Sequence, residues 1–156
     1  MRRGIGVHSE TEMVRRWTYL TLSLAMALPV LLWPALWLRK GLFHPALNFP
    51  LLWSIAAALL LVCAVTADSV LFFRTSGKGV LAMSVWMSGG LFWSLLAVQH
   101  PQGAWLIAVA FVAHALRSGC RLWRGDDRRW WLWPAWWRDM LTATGMFAWL
   151  SVLAHV

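Results

Sequence analysis

Charged side chains are scarce in this sequence. Asp, Glu, Lys and Arg make up 13% of its 156 residues, whereas an ordinary soluble domain carries about 25%. The chain is 60% hydrophobic, and its apolar residues occur in blocks of about 20, the length that an α-helix needs to cross the hydrocarbon layer. This composition excludes an ordinary soluble domain and predicts an integral membrane protein.

Cysteine and the short motifs of common enzymes are also scarce. Cys63 and Cys120 are the two cysteines, and their predicted depths in the membrane differ, so they form neither a disulfide framework nor a metal pair. The sequence contains no Gly-rich phosphate loop, HExxH, GxSxG or CxxC. We therefore expect no cofactor, and a non-enzymatic role is favoured over an enzymatic one.

Five apolar blocks predict an all-α fold, a polytopic integral membrane helical bundle with five transmembrane helices. The spans are predicted at about 17–38, 51–73, 80–99, 104–120 and 134–156. The last span is placed at Pro134 because proline is favoured in the first turn of a helix. A tail (1–16) precedes this single domain (17–156), and a Trp/Arg-rich interfacial segment (121–133) connects the last two spans.

Acidic residues number 6 against 14 basic ones, which gives a net charge of +8. Cytoplasmic loops collect Lys and Arg, and twelve of the basic residues fall on one side of the predicted bundle: Arg2, Arg3, Arg15, Arg16, Arg74, Lys78, Arg117, Arg121, Arg124, Arg128, Arg129 and Arg138. This predicts a bacterial inner-membrane protein with a cytoplasmic N-terminus and an external C-terminus. The charge favours anionic lipids as partners, and no nucleic acid partner is expected because no soluble basic domain is present.

Tryptophan is abundant, with 14 residues, and it prefers the membrane interface. Five of them lie among arginines in the stretch RRWWLWPAWWRDM. Its candidate lipid-interface residues are Arg128, Arg129, Trp130, Trp131, Trp133, Trp136 and Trp137. Simple anchoring is the favoured interpretation, and a specific surface for a lipid or a partner protein is the alternative.

Ionisable groups inside a bilayer are costly, so they are functional candidates. The intramembrane polar candidates are Asp68, His114, Arg117, Arg138 and Asp139. Asp68 and His114 are predicted at similar depth, where they could form a proton-accessible pair or a headgroup cradle. A purely structural ion pair, Asp68 with Arg117 or Asp139 with Arg138, is the favoured interpretation because polar groups often hold membrane helices together.

Three further histidines, His44, His100 and His155, are predicted on the outer side. Imidazole is a common metal ligand, which makes them weak candidates, but we expect no metal site because no acidic residue accompanies them. A haem bound by this chain alone is not expected either, since His114 is the one histidine well inside a predicted span.

Three functions remain open at this stage. The leading one is a non-catalytic accessory or assembly subunit that binds a membrane partner or anionic lipid. The second is a small ion- or proton-coupled transporter or pore that uses Asp68 and His114, and the third is a membrane enzyme acting on a lipid-linked substrate. Another membrane protein or further copies of this chain are the expected protein partners.

Overall fold

A computed structural model of the chain describes residues 4–38, 49–72, 77–125 and 129–155. Within these ranges, the chain forms five α-helices and no β-strand. They are α1 (Gly4–Leu38), α2 (Phe49–Phe72), α3 (Gly77–Gln99), α4 (Gly103–Trp123) and α5 (Leu132–Leu153). The predicted all-α bundle is confirmed.

Four helices of the described chain are long and apolar enough to cross a membrane: Glu10–Leu38, Phe49–Leu71, Val80–Gln99 and Gly103–Trp123. A helix suits that environment because its backbone hydrogen bonds are all made within the segment. The fifth helix, α5, has 22 residues and carries Arg138 and Asp139 among its apolar residues, and it is not one of these four.

The helix bounds differ most from the predicted spans at the start of α1, and by no more than about three residues at the other helix ends. α1 begins at Gly4, so the helix includes most of the predicted tail. α5 begins at Leu132, and Pro134 lies in its first turn, where a missing backbone N–H costs nothing. The predicted interfacial segment (121–133) therefore comprises the last turn of α4, the connection and the first residues of α5.

The core lies between α4, α5, α2 and α1. α4 packs most extensively against α5, α5 also packs against α1, and α2 contacts α3, α4 and α1. Residues Gly103, Ile107, Phe111, His114 and Ser118 form the buried face of α4, with the spacing of three to four residues expected of one helix face. α3 packs against α2 and α4 alone among the described helices, and its other face is exposed.

Pro34, one of the two prolines inside α1, explains the buried position of Trp53. Pro34 has no N–H to donate to the carbonyl of Val30, four residues earlier. The indole Nε1 of Trp53 donates to that carbonyl at 2.7 Å, and Nε1 of Trp149 donates to the neighbouring carbonyl of Leu31 at 2.6 Å. A tryptophan near the end of a predicted span is expected at the membrane interface, but Trp53 is buried because it satisfies a carbonyl that a proline released.

The α3–α4 turn requires a glycine at position 103. The N–H of Gly103 donates to the carbonyl of His100 at 2.9 Å, and a Cβ at this position would collide with the backbone carbonyl of Ala97. Since backbone atoms cannot move aside as a flexible side chain can, we expect Gly103→Ala to lower the free energy of unfolding by roughly 1–3 kcal/mol. SDS-driven unfolding in mixed micelles would measure this change.

Gly89→Ala is the matched control, because a Cβ on Gly89 would meet no atom within 4 Å. Alanine has the better helix propensity by about 1 kcal/mol, so this variant should be neutral or slightly stabilised. Equal destabilisation by both substitutions would contradict the steric explanation for Gly103.

Candidate functional site

A cluster of ionisable side chains lies inside the bundle, where four helices meet. It consists of Tyr19 on α1, Asp68 on α2, His114 on α4, and Arg138 and Asp139 on α5; we call these five residues the charge centre. The exposed fractions of Asp68, His114, Arg138 and Asp139 are 7%, 1%, 2% and 0%. The Asp139–Arg138 pair and the Asp68–His114 pair that were predicted from the sequence thus lie in a single site.

Arg138 connects three elements of the charge centre through its guanidinium group. Its Nε donates to Asp139 Oδ1 at 2.8 Å, one terminal nitrogen donates to Asp68 Oδ2 at 3.1 Å, and the other donates to the Tyr19 hydroxyl at 3.1 Å. Tyr19 in turn donates to Asp68 Oδ1 at 2.8 Å. The planar fork of arginine suits this role because it presents fixed donors in several directions.

His114 lies between the two carboxylates. Its Nδ1 is 2.6 Å from Asp139 Oδ2, and its Nε2 is 3.6 Å from Asp68 Oδ2, too far for a hydrogen bond. Nε2 is buried and has no hydrogen-bond partner. When Asp139 is ionised, it can only accept a hydrogen bond, so the short contact then uses a proton on Nδ1.

The net charge of the charge centre determines which ligand it can bind. Two carboxylates and one guanidinium leave one net negative charge when His114 is neutral, and none when His114 carries a second proton. A net charge buried in a medium of low dielectric constant is costly. One proton on His114 therefore neutralises the centre.

A metal ion fits the same place less well. Among the described residues, Asp68, His114 and Asp139 form a possible metal-binding group, with ligand atoms that all lie within 4.8 Å of one another. However, Arg138 already donates to an oxygen of each carboxylate, and a divalent ion would leave the centre with a net positive charge. A proton is the better match for this set of residues.

Arg117 is not the ion-pair partner of Asp68 that the sequence suggested. The guanidinium carbon of Arg117 lies 4.4 Å from the ring centroid of Trp86, a cation–π geometry, while Arg138 binds Asp68. The Trp86 ring also stacks on His114, with centroids 5.8 Å apart. Arg138 takes the predicted role of Arg117 because α5 packs directly against α4, which carries His114, and the guanidinium of Arg138 extends from α5 to Asp68.

The tryptophans of the stretch RRWWLWPAWWRDM pack partly against the rest of the protein. Trp133 makes an edge contact with Trp17 of α1 at 5.5 Å, and Trp136 lies close enough to α4 that a Cβ on Gly119 would be 3.0 Å from its Nε1. The indoles of Trp130, Trp131, Trp133 and Trp136 and the side chain of Arg129 are half-buried, and that of Trp137 is exposed. Arg128 lies outside the described residues.

Of the three histidines predicted on the outer side, the two that the structure describes, His100 and His155, are not part of this site. His100 is exposed, and its Nδ1 accepts a hydrogen bond from the backbone N–H of Gln102 at 3.1 Å. His155 is exposed in the turn that follows α5. His44 lies outside the described residues.

Two residues of the site were not predicted from the sequence. Tyr19 is the single tyrosine of the chain, and a buried tyrosine hydroxyl needs a polar partner. However, Tyr19 lies two residues after Trp17, a place that is equally typical of an aromatic side chain at the membrane interface. Trp86 lies in the middle of the predicted third span, far from either interfacial belt. This depth is unusual for a tryptophan, and it was the feature of the sequence that could have identified Trp86 as part of the site.

Comparisons with protein-family models, with curated proteins and with solved structures give no match. The fold and the site define a class, a helical protein with four helices long and apolar enough to span a membrane and a buried charge centre. The geometry of that centre is the basis for assigning a function.

Proposed function

We propose that this protein is a small proton-coupled membrane transporter or pore, in which His114 gains and loses the proton that is moved. The observation that carries the proposal is the position of His114 between Asp68 and Asp139, with one bonded ring nitrogen and one buried ring nitrogen that has no hydrogen bond. Histidine is the side chain best suited to change its charge near neutral pH.

Proton exchange would change contacts between three helices at once. With a proton on Nε2, His114 attracts Asp68 of α2 as well as Asp139 of α5. Without that proton, the centre holds one excess negative charge, and the attraction between α2 and α4 is lost. The helix bundle can then adopt two arrangements in which the charge centre has different net charge. Coupling of proton uptake to helix movement requires two such arrangements.

The direction of the proton path follows from the distribution of basic residues. Asp68 lies near the C-terminal end of α2, and Asp139 lies near the N-terminal end of α5. The positive-inside rule makes this end cytoplasmic, with the N-terminus on the same side and the C-terminus outside. We therefore propose that protons enter from the cytoplasm of a bacterial cell, past the Trp/Arg-rich segment and the anionic lipids that it attracts.

Proton flux in proteoliposomes tests this function. Under an imposed potassium diffusion potential, the wild-type protein should acidify or alkalinise the lumen faster than protein-free liposomes do, as reported by an enclosed pH dye. Asp68→Asn should reduce the flux to the protein-free level, because the centre is then neutral without a second proton on His114.

His100→Gln is the matched control, since His100 is exposed and lies outside the charge centre. It should retain wild-type flux. Unchanged flux in a correctly folded Asp68→Asn protein would refute the transport proposal.

A second candidate, an accessory subunit that binds another membrane protein, is supported by α3. Its outward face presents Leu81, Val85, Phe92 and Leu95, all strongly exposed, beside Ser88 and Gly89, and small residues allow close approach of a neighbouring helix. Native mass spectrometry of gently extracted protein would test this alternative. A stoichiometric different subunit would favour it, and a homo-oligomer or a monomer would oppose it.

A further inference from the structure

Tyr19 is the most exposed member of the charge centre. It is half-buried, whereas Asp68 retains 7% of its accessible surface and His114 retains 1%. Residues 10–15, 17 and 18 of α1 are exposed, and the buried face of this helix begins at Leu20. Tyr19 therefore lies at the edge of the packed bundle, at the end that the proposed topology places in the cytoplasm.

Apolar side chains cover the charge centre on its opposite side. Leu61 of α2, Phe111 of α4 and Met146 of α5 are buried, and each lies within about two turns of the member of the centre on its own helix. Moving a charge through such a layer is costly. Proton exchange with water is therefore expected on the side of Tyr19 and Asp68, the two members with the most accessible surface.

The two oxygens of Asp68 have different partners. Oδ1 accepts a hydrogen bond from the Tyr19 hydroxyl at 2.8 Å. Oδ2 accepts one from Arg138 at 3.1 Å and lies 3.6 Å from Nε2 of His114. Rotation of the carboxylate about its Cβ–Cγ bond would break hydrogen bonds that involve a charged group, which are stronger than neutral ones. Tyr19 therefore helps to fix which oxygen of Asp68 faces His114.

We propose that Tyr19 is a positioning residue that controls proton exchange between cytoplasmic water and His114 through Asp68, an inference that rests on the proposed role of His114. When the Tyr19 hydroxyl moves away, Oδ1 accepts a proton from hydronium, which leaves a water molecule. Rotation of the carboxyl group then brings the protonated oxygen to Nε2, where the O–H bond breaks and an N–H bond forms. Asp68 is again a carboxylate, and proton release follows the same steps in reverse.

Trp130 supports the ring of Tyr19 from the connection that precedes α5. The two rings meet edge to face, with centroids 5.8 Å apart and an interplanar angle of 89°, an arrangement that aromatic pairs prefer. The Tyr19 hydroxyl is thereby held at Asp68 from the side of the Trp/Arg-rich segment. Loss of the Trp130 ring should allow Tyr19 to leave Asp68 more often.

The exchange rate between water and the ring N–H protons of His114 tests this role. The full chain, labelled with ¹⁵N-histidine and held in lipid nanodiscs, would be followed by NMR, and the His114 signal would be assigned by its absence in His114→Gln. Tyr19→Phe keeps the ring but removes the hydroxyl, so freeing Asp68 no longer breaks that hydrogen bond. We expect exchange about 10- to 100-fold faster than in the wild type.

Two further variants accompany this measurement. Trp17→Phe is the matched control, because Trp17 is exposed two residues earlier on α1 and contacts Trp133, and it should exchange at the wild-type rate. Trp130→Ala leaves every member of the charge centre in place and should also accelerate exchange. Backbone amide exchange along α4 in the same samples reports loss of stability, and it should stay unchanged.

Three results would overturn the proposal. They are wild-type exchange in Tyr19→Phe or, if that variant does not fold, in Trp130→Ala; equal acceleration in Trp17→Phe; and parallel acceleration of the α4 amides. The exchange measurement needs no proton flux across a membrane. A protein that fails the liposome assay can therefore still show exchange controlled by Tyr19, and the two failures are distinguishable.

Discussion

Arg138→Met should lower the free energy of unfolding by about 3–5 kcal/mol, the range seen when one partner of a buried ion pair is removed. Methionine fills a similar volume, but it leaves Asp68 and Asp139 buried without the cation that donates to both. It also removes the donor to the Tyr19 hydroxyl. SDS-driven unfolding in mixed micelles, followed by circular dichroism, would measure the loss.

The control for this prediction is Arg124→Met. Arg124 is exposed in the turn after α4, and substitutions at exposed positions usually change stability by no more than about 0.5 kcal/mol. Adding Asp68→Asn to Arg138→Met should restore part of the lost stability, because one of the two unpaired carboxylates is then neutral. If Arg138→Met unfolds at the same SDS concentration as wild type, the guanidinium is not the cation that stabilises this centre.

Asp139→Asn should change both stability and the protonation of His114. The substitution removes a charged acceptor at 2.6 Å from His114 Nδ1, and the loss of a hydrogen bond involving charged groups costs roughly 1.5–3 kcal/mol. Asp68 and Arg138 then balance each other, so the centre is neutral when His114 is neutral. We expect ¹⁵N NMR of histidine-labelled protein to show a doubly protonated His114 in the wild type and a neutral one in Asp139→Asn.

The assignment of the signal uses His114→Gln, from which the resonance must be missing. Glu10→Gln provides a carboxylate substitution at an exposed position on α1, and it should leave the His114 signal unchanged. A wild-type His114 that is already neutral would show that the centre retains a net negative charge, and the proposed proton site would then lose its electrostatic basis.

The fold was predictable because the hydrocarbon layer imposes a simple length requirement on the sequence. Four of the five apolar blocks coincide with helices long and apolar enough to span, although α1 begins at Gly4, well before its apolar block. The fifth block carries Arg138 and Asp139 near its start, and its helix is not among the four that are long and apolar enough to span. Its helix forms all the same, since these two residues find partners inside the bundle.

The members of the charge centre were identifiable one by one, but their pairing was not. Asp68, His114, Arg138 and Asp139 were recognised from the cost of placing charge in a membrane. The choice of Arg138 over Arg117 as the partner of Asp68 depends on how α5 packs against α4 and α1. Tyr19 lies 49 residues from Asp68 in the sequence, and nothing in the sequence places α1 beside α2.

The amino-acid sequence by itself determined that the chain is a helical membrane-type protein, and it determined which buried groups would be expensive, because both depend on the transfer of individual side chains between water and hydrocarbon. Tertiary structure alone decided that these groups share one centre, that a proton neutralises it, and that Tyr19 holds Asp68 at its edge. Those properties depend on distances of a few ångströms between helices, and helical periodicity specifies which face a residue occupies but not which helix that face will meet.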